Sequence, residues 1–387
     1  MIGMSAVIFI PDDTAKTGYP QPLMLQSVMG APLLAWLANA LFDSGVGRFF
    51  LVCHDRYVEA ARACLPAEAE VMTTMDSDPA DLLHVFLSTA EDAEHTITVV
   101  TGPAVYLPQL APQAAGRFPR VYGVSREELM QALDEHFSFA RFLLDNGSPM
   151  NEEQAMYSVA SPAELPEIAG LLQRNRLLAL ARTGVEIYDA SSCYVEPSVR
   201  VAPGARLLPG TMLRGKTVIG EEAVIGPWSV IDDSVIGARA VVNASQVRDS
   251  RVGQDAVVGP YASVRGGCEL GRSVRAGSFV ELKNARLGEN TQGPHLAYLG
   301  DTEAGANCNF GCGVTTANFD RVQKHETVVG EGAFIGCNTA LIAPLQVGSG
   351  AYIGAGSTIT EDVPAQALGI ARARQSNKKE WAAKHKK

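Results

Sequence analysis

Apolar residues follow two different rhythms along this chain, and the change of rhythm divides it. In the first third, short apolar runs alternate with segments of helical spacing. Ala6 to Ile10, Arg48 to Cys53, Glu70 to Thr73 and Thr96 to Val100 read as strands. Pro32 to Asp43, Arg56 to Leu65 and Pro79 to Ala90 read as helices, the first opened by its proline and closed by Gly45. Strands alternating with helices of this length predict a parallel sheet with helices on its faces. Ser125-Arg126-Glu127-Glu128 is a capping box, opening a helix expected to reach about Leu144. A further helix, Pro166 to Arg182, carries Ile168, Leu171, Leu172 and Leu178 and stops at Gly184. It reads as a connector between two domains.

From Tyr194 onward the beat becomes six. Ile219, Ile225 and Ile231 keep it, as do Val252, Val258, Val264, Leu270, Ala276 and Leu282, and again Val329, Ile335, Leu341, Val347, Ile353 and Ile359. Gly often follows the aliphatic residue. Six residues are too few for a helix pair and suit a short strand plus a turn, so the repeat predicts a β-helix with three units to a coil. The beat fails between Leu287 and Ala304, around His295 and Tyr298, and between Asn318 and Val328, around Asn318 and Lys324. Loops leaving a rigid scaffold are where chemistry concentrates, so these two interruptions are the candidate site.

Composition narrows the classes. With 47% apolar and 19% charged residues over 387 positions, the chain is globular and long enough for two domains. A net charge of -10 excludes nucleic acid as a general partner. No apolar run is long enough for membrane insertion, and Met1-Ile2-Gly3-Met4 places no basic segment before the first apolar run, so a cytoplasmic chain is expected. Seven cysteines without paired spacing read as reduced thiols. Seven Lys or Arg and one Glu stand between Arg372 and Lys387, a basic tail that is either a solvated end or a clamp for a phosphorylated ligand.

The stretches Phe279-Val280-Glu281-Leu282-Lys283-Asn284-Ala285-Arg286-Leu287-Gly288, His295-Leu296-Ala297-Tyr298-Leu299-Gly300-Asp301 and Ala317-Asn318-Phe319-Asp320 resemble the GlmU family. These are the bifunctional N-acetylglucosamine-1-phosphate uridyltransferases and glucosamine-1-phosphate acetyltransferases. The resemblance is strong from about Gly184 to Trp381 and partial before that. It implies an α/β nucleotidyltransferase-like, Rossmann-like domain over residues 1–165, a connecting helix over 166–183, a left-handed parallel β-helix over 184–365 and a basic tail over 366–387. It also implies a homotrimer, with active sites between neighbouring β-helices and the tail reaching across.

By the same resemblance, Arg265, Lys283 and Lys324 hold a sugar phosphate, and Tyr298 and Asn309 orient the sugar. His295 is the general base toward the 2-amine, with Glu281 orienting its imidazole. Asn318 and Phe319, with Cys312, Cys337, Ala355 and Arg372, line the acetyl-CoA site, Asn318 also serving the reaction itself. The chemistry asks for these types independently. A thioester is already activated, so neither a metal nor an acyl-enzyme is required. The amine attacks only when neutral, and an imidazole of pKa about 6.5 matches that task. The oxyanion needs a placed donor such as an amide, and the phosphate needs converging cations.

Bland readings stand beside these. A histidine in a loop is ordinarily a surface residue, and only the company of Lys283, Tyr298 and Asn318 sets His295 apart. Cys312 and Cys337 read as small wall residues rather than nucleophiles; they replace the Ala and Ser usual in the family. Histidines near the repeats lack the convergence that a zinc-dependent carbonic anhydrase needs.

The front half departs from the family pattern. Its phosphate loop would be Phe9-Ile10-Pro11-Asp12-Asp13-Thr14-Ala15-Lys16-Thr17-Gly18-Tyr19-Pro20-Gln21-Pro22, which lacks the family's phosphate-approaching glycines, adds the repulsion of two aspartates and has Gln21 where the family has lysine. The magnesium-binding Gly-Asp pair becomes Gly102-Pro103, and the second metal ligand, an Asn, becomes Ala160. No metal site is expected, magnesium being needed only if uridyltransferase activity survives. The leading reading is therefore acetyl-CoA-dependent N-acetylation of glucosamine 1-phosphate in UDP-N-acetylglucosamine and cell-wall synthesis, with the uridyltransferase lost. The alternatives are a bifunctional enzyme that keeps it through an unorthodox loop, and a non-catalytic scaffold or regulatory subunit. The sequence leaves glucosamine and galactosamine phosphates undistinguished.

Overall fold

The computed structural model describes residues 4–74, 79–90, 95–110, 120–135, 139–150 and 155–385. The chain forms two compact units, one comprising Met1–Ala190, Tyr194–Val199 and Leu213–Gly215, the other Ser191–Cys193, Arg200–Met212 and Lys216–Lys387.

The first unit is built on a six-stranded sheet in the order Glu70–Thr74, Arg48–Cys53, Ser5–Ile10, Thr96–Val100, Val121–Ser125, Ser148–Met150. Successive residues of a strand point to opposite faces. Accordingly Ala6, Ile8, Phe49 and Leu51 pack with Leu33, Leu34 and Leu37 of the helix Leu33–Phe42, while Val7 and Phe50 pack with Leu83, Phe86, Leu87 and Leu129. Covering on both faces explains why the central strand Ser5–Ile10 is apolar without a break from Ala6 to Ile10.

The first four of these strands are mutually parallel, as the alternation predicts, but Val121–Ser125 is antiparallel to both of its neighbours. Between Thr96–Val100 and Val121–Ser125 the described part of the connection holds Pro103, Pro108 and the short strand Ala104–Tyr106 rather than a crossover helix. The helix expected from Ser125 to Leu144 is two helices, Arg126–Asp134 and Phe139–Asn146. Its start is as predicted, the Ser125 hydroxyl accepting from the Glu128 amide at 3.3 Å. The Arg56 to Leu65 segment is a 3₁₀ turn, Asp55–Tyr57, followed by the short helix Val58–Arg62. Leu165–Arg182 is one helix, ended by Gly184 at φ +92°.

The second unit is a β-helix of short parallel strands. One of its faces is a nine-stranded parallel sheet running from Arg200–Val201 to Leu345–Val347. The aliphatic residues of the six-residue beat point inward, and partners on successive coils stack in register, as in Ile236 with Val252, Val252 with Leu270, and Leu270 with Leu287. Ile225, Ile231, Val258, Val264, Ile335 and Leu341 have no exposed surface. Each such side chain contributes roughly 1.5–3 kcal/mol. The glycine after the aliphatic residue also has its reason: at that corner the coils nearly touch, and a Cβ on Gly271 would lie 2.8 Å from the Glu289 nitrogen.

The first of the two interruptions is not a loop. Arg275–Lys283 and Gln292–Gly300 are nine-residue strands paired along their length. The inward position is simply taken by buried Gly293, opposite Ala276, so the path continues where the apolar signal stops. The second interruption is a genuine insertion. Ala304 pairs with Val329 and Thr316 with Leu341, and these coils are longer than their neighbours by the loop around residues 319–326. Among the described residues, no helix is long and apolar enough to cross a membrane.

Candidate active site

The paired strands Arg275–Lys283 and Gln292–Gly300 turn one corner of the β-helix together, at Phe279 and Leu296, both with positive φ. On one side of that corner Ser278 pairs with His295; on the other Glu281 pairs with Tyr298, and Lys283 with Gly300. Arg265, one coil earlier, pairs with Lys283. The parallel register therefore delivers two of the predicted phosphate cations as a column. The third, Lys324, comes from the insertion loop. The like-charged Lys324 ammonium, in hydrogen-bonding contact, holds the Lys283 amine below its usual pKa; desolvation and Arg265 act in the same direction, and Asp301 opposes them. Three cations gathered this closely favour a multivalent anion.

Asp301 organises this cluster and went unassigned in the sequence. It has positive φ, and its carboxylate accepts from Asn284 Nδ2 at 2.7 Å and from Asn318 Nδ2, with Lys324 Nζ 3.9 Å away. Asn318 is buried. Gly300 makes room for it: a Cβ there would collide with the Tyr298 hydroxyl and lie 2.7 Å from Asn318 Nδ2. Buried Thr316 pins the same point, its hydroxyl accepting from the Gly300 amide at 2.8 Å.

The insertion loop is tied by two more unassigned residues. Asp320 Oδ1 accepts from the amides of Val322 and Gln323 at 2.7 and 2.8 Å, and Asp320 Oδ2 lies 2.7 Å from His325 Nε2. The His325 amide donates to the Asn318 carbonyl at 2.8 Å, and Phe319 bridges to Lys324. An aspartate followed by free amides two and three residues on is a turn signal, legible in the sequence once the segment is known to leave the scaffold.

Of the expected catalytic residues, His295 is exposed beside the corner. Glu281 is ion-paired with Arg265, and among the described residues no hydrogen bond joins it to His295. Four of the expected acetyl-CoA residues, Cys312, Cys337, Ala355 and Arg372, fall into one stripe, whereas Asn318 and Phe319 belong to the insertion loop. The Leu296 carbonyl accepts from Gly313, the Cys312 carbonyl from Asn338, and the Cys337 carbonyl from Gly356. His295, Cys312, Cys337 and Ala355 therefore precede the same corner on successive coils. Arg372 closes the stripe, its Cδ 3.7 Å from where a Cβ on Gly356 would stand. Phe319 is 60% exposed at the insertion loop. Asn309 pairs with Gln292 and Phe334, across the corner from Tyr298.

Residues 326–361 match the bacterial transferase hexapeptide family (six repeats). Over 240 residues the chain is 42% identical to the bifunctional protein GlmU of Clostridium perfringens, covering 62% of this chain and 53% of that protein. It is 44% identical over 221 residues to GlmU of Brevibacillus brevis, 57% and 48% of the two chains. It is 48% identical over 203 residues to GlmU of Caldicellulosiruptor saccharolyticus, 52% and 44% of the two chains. The chain is a relative of GlmU. It spans about half the length of the curated GlmU proteins it matches.

In this GlmU relative the front loop is satisfied by its own side chains. Asp12 accepts from the Thr14 amide and hydroxyl and pairs with Arg56, while Asp13 accepts from the Leu23 amide at 2.9 Å. The Gln21 side-chain amide donates to the Leu25 carbonyl. The positions that the resemblance aligns with magnesium ligands carry other chemistry. Gly102, Pro103 and Ala160 offer no carboxylate, and the Arg120 guanidinium stands 2.6 Å from where a Cβ on Gly102 would be.

Proposed function

We propose that this chain transfers the acetyl group of acetyl-CoA to the 2-amine of an amino-sugar 1-phosphate, glucosamine 1-phosphate first among them, for UDP-N-acetylglucosamine synthesis. One observation carries the reading: His295 heads the Cys312–Cys337–Ala355 stripe on one side of the corner, and the Arg265, Lys283 and Lys324 cluster lies on the other. A sugar phosphate anchored by the cations presents its amine at the corner. An acyl donor lying along the stripe, with Arg372 at its end, presents its thioester to the same place.

His295 takes the proton as the amine attacks; the C–N bond forms, the C–S bond breaks, and CoA leaves as the thiolate and is protonated. Asn318 gives one N–H to Asp301 and keeps the other for the oxyanion. Tyr298 and Asn309 orient the sugar, and Phe319 flanks the donor. Glu281 turns to the His295 imidazole when phosphate draws Arg265 away. The required test is CoA-thiol release from acetyl-CoA across several amino-sugar 1-phosphates, run beside His295→Ala. Wild-type turnover in that variant would remove the base assignment.

The homotrimer draws support from Trp228, Tyr261, Phe279 and Leu296, which are 57–72% exposed on one edge of the β-helix, all with positive φ. Tyr261 and Phe279 stack at 5.4 Å. An exposed apolar edge next to His295 suits a neighbouring copy. The first unit, on this reading, no longer transfers uridylyl groups and is kept for architecture or regulation. Its occupied loop and the cation beside Gly102 support that loss. Consumption of UTP with N-acetylglucosamine 1-phosphate and magnesium, abolished by changes between Pro11 and Gln21, would reverse it.

A further inference from the structure

The cysteines divide sharply. Cys53, Cys64, Cys193, Cys268 and Cys308 are buried, whereas Cys312 is half-buried and Cys337 exposed. Burial pushes the Cys64 thiol up to about 12 and raises Cys53, Cys268 and Cys308 as well, which makes all four poor nucleophiles. The accessible thiols are the two that stand together. Phe310 pairs with Ile335, the Gly311 amide donates to Ile335 and the Asn338 amide to Cys312, so Cys312 and Cys337 are register neighbours. Adjacent strands lie about 4.8 Å apart, and a disulfide bridges Cα atoms roughly 4.4–6.8 Å apart. The Cys337 Sγ sits against the Cys312 coil, 3.0 Å from where a Cβ on Gly311, the residue before Cys312, would stand.

We infer that Cys312 and Cys337 form a thiol–disulfide exchange site for low-molecular-weight disulfides, and that oxidation there closes the acyl-donor stripe. The Cys337 thiolate attacks one sulfur of the small disulfide, forming a mixed disulfide and releasing one small thiol. Cys312 then attacks the Cys337 sulfur, forming the internal disulfide and releasing the second. The cysteine pair loses two electrons and two protons, and the small disulfide gains them as two thiols. The consequence for acetyl-CoA rests on the proposed function, in which these cysteines lie between His295 and Ala355 on the donor path. A group on Cys337 would overhang Ala355, whose nitrogen stands 2.6 Å from a Cβ built on Gly336.

The test treats the full chain with oxidised glutathione or, separately, CoA disulfide, alkylates remaining thiols and maps the peptides. Acetyl-CoA binding is measured calorimetrically before oxidation, after it, and after dithiothreitol. The wild type should give a Cys312–Cys337 linked peptide and lose acetyl-CoA affinity by about tenfold or more, regained on reduction. Cys312→Ser should stop at the mixed disulfide on Cys337, and Cys337→Ser should give no linked peptide. Modification of neither residue in the wild type, or linkage through a buried cysteine instead, would overturn the exchange site. A linked peptide with unchanged acetyl-CoA affinity would overturn the closure alone. If the reduced chain binds no acetyl-CoA, the proposed function fails, while the linked peptide still decides the exchange site.

Discussion

Asn318 donates its side-chain amide to the carboxylate of Asp301 across neighbouring coils, and this contact ties the insertion loop to the ladder. The same carboxylate receives Asn284 and faces Lys324, so one residue holds both the amide proposed to serve the acyl donor and a cation proposed to hold the phosphate. Asp301→Asn removes the charge while keeping the shape. A hydrogen bond to a charged group is worth about 1.5–3 kcal/mol, so kcat/KM should fall about ten- to a hundredfold. Steady-state kinetics would show both a higher KM for the sugar phosphate and a lower kcat. A change in KM alone would limit Asp301 to the phosphate side.

Asp320 gives the loop a pH signature. Its carboxyl is held well below the ordinary carboxylate range, first by the Gln323 amide and then by His325 and the Val322 amide. A depressed folded-state pKa stabilises the loop above the unfolded value, about 3.9, and that support goes as pH falls through the folded value. Hydrogen exchange of residues 320–325 should thus stay protected from neutrality down to about pH 4 and be lost below it. Asp320→Asn should speed exchange at every pH and raise the KM for the sugar phosphate through Lys324. Unchanged exchange in that variant would mean that the loop is held elsewhere.

The β-helix was legible because its inward residues repeat every sixth position, and the register of Ile236, Val252 and Leu270 follows that beat. Gly293 shows where the pattern misleads. A glycine fills an inward corner without adding to an apolar signal, so an unbroken strand pair read as a loop. Asp301, Asp320 and His325 escaped notice because their importance lies in what they touch across coils, which spacing does not encode. In the front unit the strands were plain, but the antiparallel pairing of Val121–Ser125 with Thr96–Val100 is a long-range choice that local spacing does not encode.

Gly300 is a steric requirement rather than a conformational one. In Gly300→Ala the new methyl would meet the Tyr298 hydroxyl and the Asn318 amide. Overpacking of this kind costs typically about 1–3 kcal/mol, and here part of that cost would be met by moving Tyr298 or Asn318. A melting temperature lowered by only a few degrees with most acetyl transfer gone is the expected pairing. Full activity would show that neither side chain needs its present place.

Phe279 tests whether the apolar edge is an interface. It is 61% exposed and stacks on Tyr261, and its positive φ already carries the roughly 1 kcal/mol that a non-glycine residue incurs there. Glutamate would inherit the same backbone cost, so Phe279→Glu changes the surface and leaves the coil intact. In a homotrimer it would place like charges together where copies meet near His295, and both assembly and catalysis should suffer. Light scattering should report a trimer for the wild type and a monomer for the variant, with matching far-ultraviolet circular dichroism and acetyl transfer lost. A variant that keeps both its assembly state and its activity would show that the copies, if they meet, do so on another face, and that His295 works without a neighbour across this edge.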